Sequence, residues 1–208
     1  MSPCLRTPAP DGSATRRAVF VDRDGVINEM VYDTTHGLLD SPREPAQVEL
    51  TKYACEFLKG IRDLGFLIIV VTNQPGISKG TLSLDELGAV NERIAALLAP
   101  ACWDDLRYCP HHPEYGTFCE CRKPKPGMLL SAAADHGVDL SRSWMVGDGI
   151  VDVQAGNAAG CNTMLVARVK LEVVARFVAL GAAAPDFVAV DLLAALRTIS
   201  QRTAVLPA

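Results

Sequence analysis

A chain of 208 residues, 49% hydrophobic and 21% charged, has enough apolar material for one ordinary domain with a core, which excludes disorder throughout. A formal net charge of −4 and a pI near 5.6 leave no overall basic footprint for nucleic acid. The longest aliphatic run, near Phe66–Val71, is far too short to span a bilayer, so no membrane partner and a cytoplasmic address are expected. Met1–Arg17 has no apolar centre of signal-peptide length, and its prolines and Gly12 read as a flexible tail over 1–17. Residues 18–208 then form a single domain.

In chain order, Ala18–Val21 is a short apolar run ending at Asp22 and predicts a buried strand. Asn28–Glu49 reads as irregular and is too long for a simple connection, which points to a functional loop. Ala54, Phe57, Leu58 and Ile61 follow the i, i+3, i+4, i+7 spacing of an amphipathic helix stopped at Gly65. Phe66–Val71 predicts a second strand. Ser83 with Glu86 is a capping-box pair opening a helix to about Leu98. Asp105–Tyr108 is a weaker third strand, and Pro126 suits the first turn of a helix ending at His136-Gly137. Trp144–Val146 and Thr163–Val166 predict two further strands around a helix over 152–159. From Leu171 the pattern gives a helix, a strand over Phe187–Val190 and a last helix through Leu193 and Leu196.

Strands apolar throughout and alternating with helices predict an α/β fold, a Rossmann-like three-layer sandwich around a parallel sheet. Ligands of such sheets bind beyond the carboxyl ends of the strands. The residues expected there are Asp22-Arg23-Asp24-Gly25, Thr72-Asn73-Gln74, a Cys/His segment followed by Arg122-Lys123, and Gly147-Asp148, all polar or charged except the glycines. Asp22 and Asp24 stand too close to avoid repulsion unless a cation lies between them. An EF-hand loop fails on spacing, because the glycine comes too early and a strand precedes it. Solvated turn residues would explain Asp-x-Asp-Gly alone, but not its recurrence with a second acidic site at Asp148. In the Cys/His segment, Cys109, His111, Cys119 and Cys121 make a Cys₃His set suited to tetrahedral Zn²⁺, with His112 the less favoured substitute for His111. Cys4, Cys55, Cys102 and Cys161 are scattered and read as small apolar side chains.

Phe20 to Asn28 resembles the first motif of the haloacid dehalogenase superfamily of phosphatases. Val70-Val71-Thr72-Asn73-Gln74 resembles the second motif, Lys123 suits the third, and Gly147-Asp148 with Asp152 suits the fourth. Cys109-Pro110-His111-His112-Pro113, closed by Cys119-Glu120-Cys121-Arg122-Lys123-Pro124, is similar to the zinc loop of the histidinol-phosphatase and heptose-bisphosphate phosphatase subgroup. The resemblance implies a nucleophilic Asp22 that forms an aspartyl-phosphate, and Asp24 as acid and then base. It implies Mg²⁺ held by Asp22, the Asp24 backbone carbonyl and Asp148. Thr72 and Lys123 are the further catalytic residues, Thr72 and Asn73 donating to the phosphoryl oxygens. Asn73, Gln74 and Arg122 are expected at the substrate, and Asp152 as a carboxylate orienting Lys123 or metal-bound water. Zinc would shape the loop at 109–121.

Two departures from the pattern stand out. Gly149 follows the fourth-motif acid where many relatives carry Lys or Ser, and the span from His111 to Cys119 is short. No helical cap domain fits either insertion point. The implied substrate is a small phosphorylated sugar, first of all D-glycero-D-manno-heptose 1,7-bisphosphate losing its 7-phosphate, handled by a monomer. Histidinol phosphate is the alternative substrate, and an inactive zinc-organised binding protein the alternative class.

Overall fold

A computed structural model describes residues 15–34, 37–116, 118–167 and 183–205, with residues 172, 175, 176 and 179 between the last two spans. Six parallel strands form one sheet in the order β5-β4-β1-β6-β7-β8. They are β1 (Ala18–Val21), β4 (Leu67–Asn73), β5 (Asp105–Cys109), β6 (Trp144–Gly147), β7 (Asn162–Val166) and β8 (Phe187–Ala189). The helices are α1 (Ala54–Asp63), α2 (Gly76–Lys79), α3 (Leu84–Leu98), α4 (Gly127–His136), α5 (Ile150–Ala159) and α6 (Leu192–Val205).

The period-2 geometry of a strand sorts its side chains into two cores. Val19, Val21, Ile68, Val70, Trp144 and Val146 face one way, against Phe57, Leu58 and Ile61 of α1, Val90 and Ile94 of α3, and Ile199 of α6. Ala18, Phe20, Ile69, Val71 and Met145 face the other way, against Met128, Leu129 and Ala132 of α4 and Ala155 of α5. Each fully buried Phe, Leu or Ile contributes on the order of 1.5–3 kcal/mol, so both faces of the sheet must be covered. The expected three-layer α/β sandwich is the observed one. At Ser83 the capping box forms, with Ser83 Oγ accepting from the Glu86 N–H and Glu86 accepting from the Ser83 N–H.

Three sequence readings need correction. Residues 28–49 are not wholly irregular: β2 (Val31–Asp33) and β3 (Leu38–Asp40) pair as an antiparallel hairpin. Three-residue strands with exposed Tyr32, Leu38 and Leu39 carry no buried alternation, which is why the pattern hid them. Strand β4 runs on to Asn73, because β5 continues its ladder through Thr72 and Asn73; these two end the strand instead of following it. Arg16 and Arg17 are tied down and do not belong to a tail. The Arg16 N–H donates to the Gly137 carbonyl, and the Arg17 carbonyl accepts from Leu67 N–H. The rest of the expected tail through residue 14 and most of the helix expected from Leu171 lie outside the described residues.

Candidate active site

Strand β1 delivers Asp22 to the carboxyl edge of the sheet, where its N–H donates to the Val146 carbonyl of the neighbouring β6 at 2.9 Å. The chain then turns sharply: Gly25 has φ +85°, and a Cβ there would stand 2.0 Å from Asp148 Oδ2. Only glycine permits both the left-handed backbone and the close approach of the fourth-motif acid.

Asp22, Asp148 and Asp152 bring carboxylate oxygens within 4.8 Å of one another. Lys123 lies buried among them, its Nζ 2.8 Å from Asp22 and 2.6 Å from Asp152, while donating to the Val71 carbonyl at 2.9 Å. Burial and the Asp152 charge push Asp22 up to about 7, against the opposing pull of Lys123. Asp148 reaches the surface, yet withdrawal from water and the Asp22 charge push it up to about 6. Lys123 shows the reverse balance: burial disfavours its charge, and Asp152 and Asp22 outweigh burial and hold it above its ordinary value. Crowded oxygen donors with raised affinity for protons are a site that one divalent cation would relieve. Asp152 is the acid least free to join, since it also accepts from the Gly149 N–H.

Asp24 has different company. Its carboxylate accepts from Arg23 Nε and a terminal guanidinium nitrogen, Asn28 Nδ2 at 2.9 Å, Ser41 Oγ at 2.8 Å and Gln74 Nε2 at 2.8 Å. Burial alone would raise its pKa; the Arg23 guanidinium and the hydrogen bonds of Asn28 and Ser41 prevail and hold it below the ordinary carboxylate value. Arg23 is fully buried and donates its remaining terminal nitrogen to Asn91 of α3 at 2.8 Å. Arg23 is expected at this edge of the sheet but without a role, and Ser41 is not legible as a site residue. Arg23 is flanked by two acids, but its partner Asn91 lies 68 positions away.

The amides expected at the substrate are engaged within the protein. Asn73 donates to the Lys123 carbonyl and accepts from the Lys123 N–H, both at 3.1 Å, so it clamps the peptide that carries the lysine. Gln74 is buried and donates to Asp24 and to Thr72 Oγ1, which orients the Thr72 hydroxyl while filling one of its acceptor sites. Arg122 is partly buried and donates to the His111 carbonyl at 3.0 Å. Beside Ser41, a cavity of about 290 Å³ opens under the β2–β3 hairpin between Tyr32, Asp33, Asp40, Arg43 and Gln47.

The second cluster joins Cys109, His111, Cys119 and Cys121, with one ligand atom from each inside the same 4.8 Å limit. Cys109 Sγ lies 3.6 Å from His111 Nδ1, 3.6 Å from Cys119 Sγ and 3.1 Å from Cys121 Sγ. Burial and Cys121 push the Cys109 thiol up, whereas the Arg122 N–H and neighbouring Cys121 lower Cys119 to about 7 in spite of burial. Three soft sulfurs and one imidazole nitrogen converging this closely are the donor set of a closed tetrahedral metal site. His112 is occupied elsewhere: its Nδ1 accepts from the Glu114 N–H, and its ring meets Tyr115 edge-on. His111 is therefore the histidine of the quartet.

Acids at the ends of β1 and β6, a buried lysine between them and no cap domain among the described residues define a phosphatase of the haloacid dehalogenase class. The HAD-hydrolase-like family model matches residues 120–195. D-glycero-beta-D-manno-heptose-1,7-bisphosphate 7-phosphatase of Pasteurella multocida is 39% identical over 158 residues, covering 73% of this chain and 82% of that protein. The protein of the same name from Escherichia coli K12 is 37% identical, with 73% and 78% covered. A crystal structure of D,D-heptose 1,7-bisphosphate phosphatase from B. bronchiseptica, complexed with magnesium and phosphate, superposes with a TM-score of 0.73 at 28% identity, covering 89% of this chain and 99% of that one. The chain belongs to this family of heptose-bisphosphate phosphatases and is a phosphoric monoester hydrolase.

Proposed function

We propose that the enzyme removes the 7-phosphate of D-glycero-β-D-manno-heptose 1,7-bisphosphate through an aspartyl-phosphate on Asp22. The observation that carries the chemistry is the Asp22–Lys123 contact of 2.8 Å at the end of β1. A carboxylate oxygen of Asp22 attacks phosphorus, the bond from phosphorus to the sugar oxygen breaks, and that oxygen leaves with a proton taken up from solvent and passed on by Asp24. Water then attacks phosphorus, the Asp22–phosphorus bond breaks, and Asp24 takes the proton from the water. The donors gathered on Asp24 favour the ionised form that this second step requires. Lys123 holds Asp22 in line and places a positive charge beside the developing charge. Thr72 would donate a hydrogen bond from its hydroxyl to the phosphoryl group, and Arg122 would meet the far end of the substrate. Asn73 and Gln74 act by positioning Lys123 and Asp24. The hairpin cavity beside Ser41 suits a small polyol, and 18–208 is the catalytic domain.

Asp22, Asp148 and the Asp24 backbone carbonyl would hold Mg²⁺, which neutralises the phosphate dianion that a carboxylate must approach. Cys109, His111, Cys119 and Cys121 would hold a structural Zn²⁺ that fixes the loop ahead of Lys123. Phosphate release from the heptose bisphosphate and from histidinol phosphate, measured side by side with and without Mg²⁺, tests the reading. Expected is Mg²⁺-dependent turnover with clear preference for the bisphosphate, and phosphorus NMR showing loss at carbon 7. Equal or better turnover of histidinol phosphate would overturn the substrate assignment, and absence of turnover on either would overturn the function.

A further inference from the structure

At the amino-terminal edge of the sheet, opposite the site just described, the strands begin around a second cavity of about 110 Å³, room for several waters. Its floor is aromatic: Phe66 just before β4, Trp144 opening β6 and Phe187 opening β8, with Trp144 and Phe187 rings 5.3 Å apart. Three arginines from separate parts of the chain surround it: Arg17 ahead of β1, Arg142 in the turn before β6, and Arg202 on α6. Arg17 lies over the Phe66 ring at 4.5 Å and Arg202 over Phe187 at 4.9 Å. Stacking uses the face of a guanidinium and leaves its N–H donors pointing outward in the plane. Arg17 uses one of them on the Leu64 carbonyl at 3.3 Å. Among the described residues, none of the three forms an ion pair with a carboxylate. The Asp139 carboxylate, which Arg142 helps to hold below its ordinary value, accepts from the Ser141 N–H and hydroxyl.

Covering aromatic rings would account for Arg17 and Arg202 one at a time. It does not account for three like charges drawn around one open cavity in a chain whose net charge is −4. Like charges so arranged repel, and an anion between them would turn repulsion into charge-assisted hydrogen bonds. We propose that this cavity is a second anion site, taking a small tetrahedral oxyanion of the phosphate class, whether free phosphate or the phosphoryl end of a small metabolite. Its size admits one phosphoryl group and excludes a nucleotide. Its lining comes from five strand starts and from α6, so an occupant would tie the terminal helix to the base of the sheet.

Trp144 reports on the cavity directly, and Trp103→Phe makes it the only indole, since the chain has two. Titration of that variant with inorganic phosphate at constant ionic strength is expected to give a saturable change in Trp144 fluorescence, with sodium chloride giving none. Arg142→Gln/Arg202→Gln should weaken half-saturation at least about ten-fold, the loss of one or two charge-assisted hydrogen bonds, with turnover at saturating substrate unchanged. Equilibrium dialysis of labelled phosphate on the otherwise unaltered chain should show one fewer phosphate bound in the double variant. Arg142→Lys/Arg202→Lys, which keeps the charge without the planar fork, should fall between. A hexose phosphate run in parallel assigns the source: tighter binding than free phosphate points to a metabolite, equal binding to the ion. A non-saturating signal, an equal response to chloride, or a double variant that binds as the parent does would overturn the proposal.

Discussion

The carboxylate cluster and the thiol cluster are joined by the short run from Cys121 to Lys123, yet they are built on opposite terms. Asp22, Asp148 and Asp152 offer hard oxygen donors, and Asp148 faces solvent, so the cluster keeps a side open to substrate. The quartet at 109–121 offers three sulfurs and one nitrogen from four partly or fully buried residues, which leaves no position for a substrate. On the function proposed above, one does chemistry and the other holds a shape. The difference teaches that closeness to a reaction centre is no measure of participation: what counts is donor hardness, exposure and whether the set is complete.

Substitutions should separate the two sharply. Asp22→Asn is expected to lower kcat by about 10³-fold or more, as loss of a nucleophile does, while metal analysis finds the thiol site loaded as in the parent. Equal activity would remove Asp22 from the mechanism. Cys119→Ser should act in the opposite order, lowering zinc content and the thermal midpoint, with a stability loss of about several kcal/mol; kcat of the protein still folded should change far less. Between these stands Asn73→Ala, which deletes both hydrogen bonds to the Lys123 peptide. About 1–2 kcal/mol of positioning would be lost, read as a kcat reduced about ten-fold with KM little altered. Ser41→Ala removes one donor from Asp24 and should cost a few-fold in kcat, on the order of 1 kcal/mol.

The smallest effect belongs to a control remote from both clusters. Asp105 on the edge strand β5 accepts from Arg107 at 2.7 Å and His136 at 2.8 Å. Burial would raise its pKa, but Arg107 and His136 hold it below the ordinary value. Its contribution to stability is therefore complete above the unfolded carboxyl pKa and is lost as pH falls through the depressed folded one. Asp105→Asn should flatten that acid limb of the stability curve by about 1 kcal/mol at most, without touching kcat or zinc content.

Much of this division was legible in the sequence because it rests on local spacing. The apolar run before Asp22, the helix period of Ala54–Ile61 and the Ser83–Glu86 pair each declare themselves within ten residues, and each forms as read. The Cys-x-His and Cys-x-Cys pairs likewise converge as one quartet. What escaped is long-range. Gln74 and Asn73 read as substrate ligands from their place after a strand, and their contacts with Asp24 and Lys123, each 50 positions away, are beyond the reach of local spacing. The role of Arg23 and the place of Ser41 escaped for the same reason, and the β2–β3 hairpin because its short, exposed strands bury no alternating face.

The quartet draws its ligands only from the two ends of its loop: Cys109 and His111 on the way out, Cys119 and Cys121 on the way back. The return limb is locked again by the Gly127 N–H on the Glu120 carbonyl and by Lys125 on the Cys119 carbonyl. The loop is stapled at its root, while Tyr115 and Phe118 beyond the staples are exposed. Changes at Tyr115 or Phe118 should therefore leave Lys123 where it is. The staples thus separate the side chains a loop shows to solvent from the lysine it delivers to the sheet.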